Sequence, residues 1–323
     1  MIGFTARRLA TALVTAWVAS IIAFVLFWMV PNVDPAYWLG GAEKGTNATR
    51  ARATEQYGLD DPLPVQYFRL MKSILNGDVE CFYSCGSLRQ VFLDSLPVTI
   101  SLVGGAGLIA VGLGVWLALI CVRHRGRWQD RLITTAASAA YSVPSLVLAA
   151  LLWAFVSYRW GLFPQEGYVP LRDNPWQWAK HLFLPWIASA LPFAGAYVHV
   201  VRASLLDAVN EDYVRTARAK GLSEKQVVRR HVLRNALIPP VNIWGLDFSH
   251  AFGGFVLYVE VIFGLPGVGD LTANTLGSFD LPPIVALAVY LAIVVVLFSA
   301  IVDVIVAWLD PRLRRAGPAA SRP

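Results

Sequence analysis

Charge is scarce in this sequence. Asp, Glu, Lys and Arg make up 15% of its 323 residues and 56% are hydrophobic, whereas a soluble globular domain carries roughly 25% charge. An ordinary water-soluble enzyme is excluded. The dipeptide Gly-Lys never occurs, so the chain lacks the phosphate-cradling G-x-x-x-x-G-K-[ST] loop and is not itself a P-loop ATPase. Its histidines, His124, His181, His199, His231 and His250, form no H-E-x-x-H pair, and no serine occupies a G-x-S-x-G elbow. The chain is read as a non-enzyme, with no metal site and no cofactor of its own. Cysteine is limited to three residues. Cys121 ends an apolar run and reads as a buried inert thiol. Cys81 and Cys85 share a segment where an oxidising compartment permits a disulfide, and a Cys-x3-Cys metal pair is the rival reading.

What is abundant is long uncharged sequence. Leu9–Val30, Val98–Val122, Leu132–Tyr158, Leu182–Val201 and Ile284–Val302 each hold 19 to 27 residues without Asp, Glu, Lys or Arg, and about 20 apolar residues suffice to cross a bilayer. A sixth stretch, Asn235–Phe263, is apolar overall but carries Asp247, His250 and Glu260. The expectation is an all-α integral membrane protein with six transmembrane helices. Leu9–Val30 exceeds the 7 to 15 residues of a signal-peptide core and has no small-x-small closing site, so it reads as a retained anchor.

The net charge of +6 falls in short loops beside apolar runs and not along one soluble face, which argues against nucleic acid. Arg7 and Arg8, the 123–131 loop, the 202–234 loop and the tail from Arg312 hold 18 of the 27 basic residues. The positive-inside rule then places both termini in the cytoplasm. The organisation expected is an anchor helix (1–31), an extracytoplasmic segment (32–95), a five-helix core (96–307) with a cytoplasmic loop (202–240), and a cytoplasmic tail (308–323). In the outer segment, Pro64 and Asn76-Gly77 bracket a short amphipathic helix with Phe68, Met71 and Leu75 on one face, resting on the membrane, a partner or its own loops. Gly104, Gly105, Gly107, Gly112 and Gly114, with Pro144, Pro185 and Pro192, lie within the spans, where small residues and prolines let helices approach or bend.

The 202–240 loop is patterned. Leu206, Val209, Tyr213 and Ala217 form an apolar stripe on a helix whose other faces carry Glu211, Asp212, Arg215, Arg218 and Lys220. Gly221 suits the left-handed residue that ends it. Ser223 and Gln226 make a capping box for a second helix from Glu224 to about Leu237, before Pro239-Pro240. This is a compact helical knob, or a solvated loop if nothing covers the stripe.

The stretch Asn210-Glu211-Asp212-Tyr213-Val214-Arg215-Thr216-Ala217-Arg218-Ala219-Lys220-Gly221-Leu222, continuing through Arg230-His231-Val232-Leu233-Arg234-Asn235-Ala236-Leu237-Ile238-Pro239, resembles the cytoplasmic loop of dipeptide and oligopeptide permeases of the ATP-binding-cassette (ABC) importers. Tyr57 to Tyr67, Phe263 to Gly269 and Leu309 to Arg314 resemble the same family in the same order. The wider permease motif begins Glu-Ala-Ala; here Arg215, Thr216 and Ala217 stand in its place, so a salt bridge from that glutamate is not carried over.

The resemblance implies a type I ABC importer permease fold in the bacterial cytoplasmic (inner) membrane, contacting lipid and no nucleic acid. A second homologous permease, two ATPase subunits or a fused pair that bind ATP and Mg, and an extracytoplasmic substrate-binding protein are its implied partners. Short peptides would enter by alternating access; related permeases carry nickel chelates or other solutes. Glu211, Asp212, Tyr213, Arg215, Thr216, Ala217, Arg218, Lys220, Gly221 and Leu222 would form the ATPase-coupling loop.

Asp247 and Glu260 would each cost roughly 2.5 to 3.5 kcal/mol facing lipid at mid-bilayer, so both are expected to face the bundle interior. Asp247 is the candidate for the translocation path, and Glu260 is either path-lining or structural. An ion-coupled transporter using Asp247, His250 and Glu260 as proton carriers is the alternative; the long structured loop and the missing inverted repeat oppose it.

Overall fold

The structure, a computed structural model, describes residues 14–15, 17–25, 58, 60–79, 87–228, 232–236, 238–251, 254–278 and 281–309. The described residues contain helix and no extended sheet: 17–25, then α1 (Leu63–Asn76), α2 (Leu88–Arg123), α3 (Trp128–Ser142), α4 (Ser145–Leu151, continued as a π-helix to Arg159), α5 (Pro175–Val209), α6 (Asp212–Ala219), α7 (Glu224–Val227), α8 (Leu233–Ala236), α9 (Ile238–Ala251), α10 (Phe255–Phe263), α11 (Val268–Ser278) and α12 (Leu281–Leu309). Cys81 and Cys85 lie outside the described residues.

Among the described residues, helices α2, α5 and α12 are each long and apolar enough to cross a membrane, and two bent pairs, α3 with α4 and α10 with α11, bring the number to five if each pair is one span. The Leu132–Tyr158 run is thus not one straight helix. It turns through 92° because Pro144 lacks an amide proton and pushes its predecessor out of the helical region; Val143 is extended at φ −86°, ψ 121°. The Asn235–Phe263 stretch is also divided, into α9 and α10, and α10 meets the spanning criterion together with α11. At α5, Asn174 Oδ1 accepts from the Trp176 and Gln177 amides, both at 3.1 Å, so the helix begins seven residues before the apolar run at Leu182.

The chain divides into two compact units, one comprising residues up to Ile100 with Gly264–Leu297, the other Ser101–Phe263 with the chain from Phe298. In the first unit α1 buries Gln66, Tyr67, Leu70 and Ile74. The Phe68–Met71–Leu75 stripe points away from this core, with Phe68 and Leu75 69% and 74% exposed, so among the described residues the chain's own loops do not cover it. Tyr67 decides the orientation, packing edge-on against Phe24 and sharing a 2.7 Å hydrogen bond with Ser20, while the Tyr290 hydroxyl donates to the Ile74 carbonyl at 2.9 Å.

In the second unit α3 packs along α5, and α2 approaches α5 and α9 through its glycines. A β-carbon at Gly105 would strike the Trp186 indole, one at Gly107 would lie 2.7 Å from Trp244 Nε1, and one at Gly114 2.5 Å from the Tyr197 β-carbon. Gly104 and Gly112 have open space. Among the described residues, three of the five glycines therefore act as close-packing residues. Gly114→Ala should lower the thermal midpoint of the detergent-solubilised protein, by overpacking of about 1 to 3 kcal/mol. Gly112→Ala should leave it unchanged or raise it by the roughly 0.5 to 1 kcal/mol that alanine gains within a helix.

Candidate functional site

Three helix faces converge on one pocket. Val103, Ala106, Gly107 and Ala110 come from α2, Ser189, Phe193 and Tyr197 from α5, and Trp244, Asp247 and Ala251 from α9, enclosing about 320 Å³ of empty space including its open mouth. Apart from the adjacent Ala106 and Gly107, the residues in each set are three, four, seven or eight apart, so each set lines one side of its helix. Tyr197 is buried, and its hydroxyl donates to Asp247 Oδ2 at 2.7 Å. Asp247 thus faces the interior, as its charge requires. Glu260 is fully buried but does not line this pocket. Sequence reading missed Ser189, Tyr197 and Trp244; the recurrence of Trp244, Asp247 and Ala251 at i, i+3, i+7 was the available signal.

The 202–240 loop forms a helical hairpin packed on the ends of two long helices. Val214 and Ala217 of α6, Val227 of α7 and Val232 and Ala236 near α8 join Ala118 of α2 with Val201, Leu205 and Ala208 of α5 in one buried cluster; Val209 and Leu222 pack against it. The expected stripe is corrected here. Asn210 and Glu211 interrupt the helix between α5 and α6, so the register shifts and Val214 is buried while Tyr213 is 37% exposed. Since the chain covers its own stripe, the hairpin offers a polar outer face made of Glu211, Asp212, Tyr213, Arg215, Thr216, Arg218 and Lys220, all exposed. Gly221 has φ +78° and its amide donates to the Arg218 carbonyl at 2.9 Å. Ser223 and Gln226 form half of the capping box, with the Gln226 side-chain oxygen accepting from the Ser223 amide at 3.1 Å.

A second feature was not anticipated. Arg202, at the root of the hairpin on α5, donates from Nε and Nη2 to the two oxygens of Asp130 at 2.9 and 2.8 Å. Gly126, in the 123–131 loop, donates its amide to the same carboxylate at 3.0 Å. Asp130 is nearly fully buried. It precedes the apolar run at Leu132, and the Arg202 hydrogen bonds hold its carboxyl at about 2, below the ordinary carboxylate range. A depressed value means that the stabilisation is complete above that ordinary range and is lost only as pH falls towards 2.

Against this geometry, comparison with known proteins identifies the class. Residues 110–315 match the family described as binding-protein-dependent transport system inner membrane component, and residues 1–103 match its N-terminal companion. A Brucella abortus protein carrying a peptide transport system permease name is 33% identical over 309 residues, covering 95% of this chain and 98% of that one. The glutathione transport system permease protein GsiC of Salmonella paratyphi A is 34% identical over 321 residues, covering 97% and 99%. Among solved structures, the inward-facing MetNI methionine ABC transporter superposes with a TM-score of 0.56 at 19% identity, over 69% of this chain and 97% of that one. The fold is that of a type I ABC importer permease. The chain belongs to the binding-protein-dependent transport system inner membrane component family and is an ABC importer permease subunit.

Arg202→Met should leave the Asp130 carboxylate buried without its cation. Removing one partner of a buried pair costs about 3 to 5 kcal/mol, so a large fall in thermal midpoint in detergent is expected. Arg202→Lys should restore part of it as a point charge lacking the bidentate fork.

Proposed function

We propose that this subunit moves short peptides into the cell by ATP-driven alternating access. It would pair with a second homologous permease, two peripheral ATPases that bind ATP and Mg, and an extracytoplasmic binding protein. The observation that carries the reading is the hairpin: a rigid body fused by its apolar side to α2 and α5, with a charged face left for a soluble partner. Near-full-length similarity to permeases named for peptide and glutathione transport supports the substrate class, since glutathione is itself a tripeptide. The distribution of Lys and Arg supports cytoplasmic termini and a cytoplasmic hairpin in the bacterial inner membrane. Segment 32–95 then lies outside, with Cys81 and Cys85 in a compartment that permits their bridge.

In this reading nucleotide-driven closure of the ATPases displaces α6, and the shared core passes the displacement to α2 and α5, which line the Asp247 pocket. Asp247 and Tyr197 form part of the path. Glu260, buried and off this pocket, holds a structural position. The chain forms and breaks no covalent bond.

Gly221 is the sharpest test of coupling. Its β-carbon would meet nothing within 4 Å, so Gly221→Val carries only backbone strain, on the order of 1 to 2 kcal/mol. The variant should insert and assemble in the membrane but lose binding-protein-stimulated ATP turnover in the reconstituted complex. Charge reversal at Arg215 or Arg218 to Glu should reduce stimulation more mildly. Normal stimulation in Gly221→Val would place coupling elsewhere.

A further inference from the structure

Helix α1 has three sides of different chemistry. Gln66, Tyr67, Leu70 and Ile74 form the buried one. Pro64, Phe68, Met71 and Leu75, at i, i+4, i+7 and i+11, form an apolar second side on which Phe68 and Leu75 are largely exposed. Val65, Arg69, Lys72 and Asn76 repeat that spacing one residue on and make a third side, exposed throughout and mostly polar. The contacts of the buried side decide where the other two lie. Tyr67 meets Ser20 and Phe24 in the second half of the uncharged Leu9–Val30 run, and the Tyr290 hydroxyl reaches the Ile74 carbonyl from within the uncharged Ile284–Val302 run. α1 therefore bridges two apolar runs at points inside their uncharged stretches.

A helix held there divides its exposed surface between hydrocarbon and water. The third side carries charge that hydrocarbon does not accept: Arg69 pairs with Asp61 at 2.6 Å, and Lys72 is exposed. The second side carries no charge and no polar side chain, and the apolar medium continuous with both runs is the acyl-chain layer. A soluble partner would approach from the aqueous side, which presents Arg69 and Lys72. Segment 40–56 contains no Val, Ile, Leu, Met, Phe, Tyr or Trp, so it has no large apolar side chain to lay over Phe68. We infer that α1 is an interfacial helix whose Pro64–Phe68–Met71–Leu75 side rests on the acyl chains of one leaflet, with its Arg69–Lys72 side at headgroup level. The occupant of the exposed apolar side is bilayer lipid and not the binding protein. This accounts for two apolar stripes on one short helix, since one packs on the chain and the other on the membrane. The inference is independent of which solute is carried.

The test uses the full complex in nanodiscs of phosphatidylethanolamine and phosphatidylglycerol, with Cys81, Cys85 and Cys121 replaced by serine and a nitroxide attached at Phe68→Cys, Leu75→Cys or Lys72→Cys in turn. Relaxation by oxygen, which partitions into acyl chains, is compared with relaxation by a water-soluble nickel chelate. The oxygen-to-nickel ratio should be several-fold higher at 68 and 75 than at 72, and adding loaded binding protein should leave it unchanged. A label at 68 relaxed chiefly by nickel would place that side in water, and one shielded from both reagents would show that protein covers it. A label that becomes shielded only when binding protein is added would make the binding protein the occupant. Each of these three results overturns the inference. If the cysteine-free complex does not assemble, benzoylphenylalanine is placed at residue 68 in the chain with its native cysteines and irradiated. Adducts with phospholipid are expected, and crosslinks to protein alone would overturn the inference by themselves.

Discussion

Inside a bilayer there is no water to satisfy a polar group, and most of this molecule follows from that condition. Each backbone amide must find its partner within the chain, so spanning segments are helices. Serines and threonines on α3 direct their hydroxyls to carbonyls one turn back, as Thr134 does to Asp130, Ser138 to Thr134 and Ser142 to Ser138. Charges that cannot be avoided are turned inward and paired. Asp247 accepts from Tyr197, and at the start of α3 Asp130 accepts three hydrogen bonds, two from Arg202 and one from the Gly126 amide.

The same condition removes the ordinary reason for helices to associate, since lipid tails are as apolar as leucine. Close packing must replace it. The glycines of α2 allow this at three points, where Trp186, Trp244 and Tyr197 occupy the space a side chain would fill. The Gly114 contact also has a chemical consequence: by seating Tyr197 it helps to set the hydroxyl that orients Asp247. Packing and pocket chemistry are here one arrangement, and a methyl group at residue 114 would disturb both.

The hairpin shows how a short amphipathic segment becomes a rigid transmitter. Eight-residue α6 would not persist alone, but Val214 and Ala217 are sealed against α2 and α5. The Asp130–Arg202 pair lies beside that joint and ties the 123–131 loop to the α5 end from which the hairpin springs. A push on the polar face of α6 therefore acts on a body that includes the ends of both long helices lining the pocket.

The all-α class, the spans at α2, α5 and α12, the left-handed turn at Gly221 and the inward-facing Asp247 were all determined by the sequence, because each follows from local composition or from one residue's conformational or solvation cost. The bend at Pro144 belongs with them, since the proline was visible and its steric effect is local. Tertiary structure alone decided which face of a helix is buried. On α1 and α6 two overlapping apolar stripes satisfied the same periodicity, and the choice fell to Tyr67 meeting Ser20 and Phe24, and to Val214 meeting the α2–α5 cluster. Tertiary structure also decided the pairing of Asp130 with Arg202, 72 residues apart, and the gathering of Ser189, Tyr197, Trp244 and Asp247 around one pocket. Periodicity places a residue on a side of its own helix, but contact between helices depends on where the other helices lie, and that information is shared among all of them.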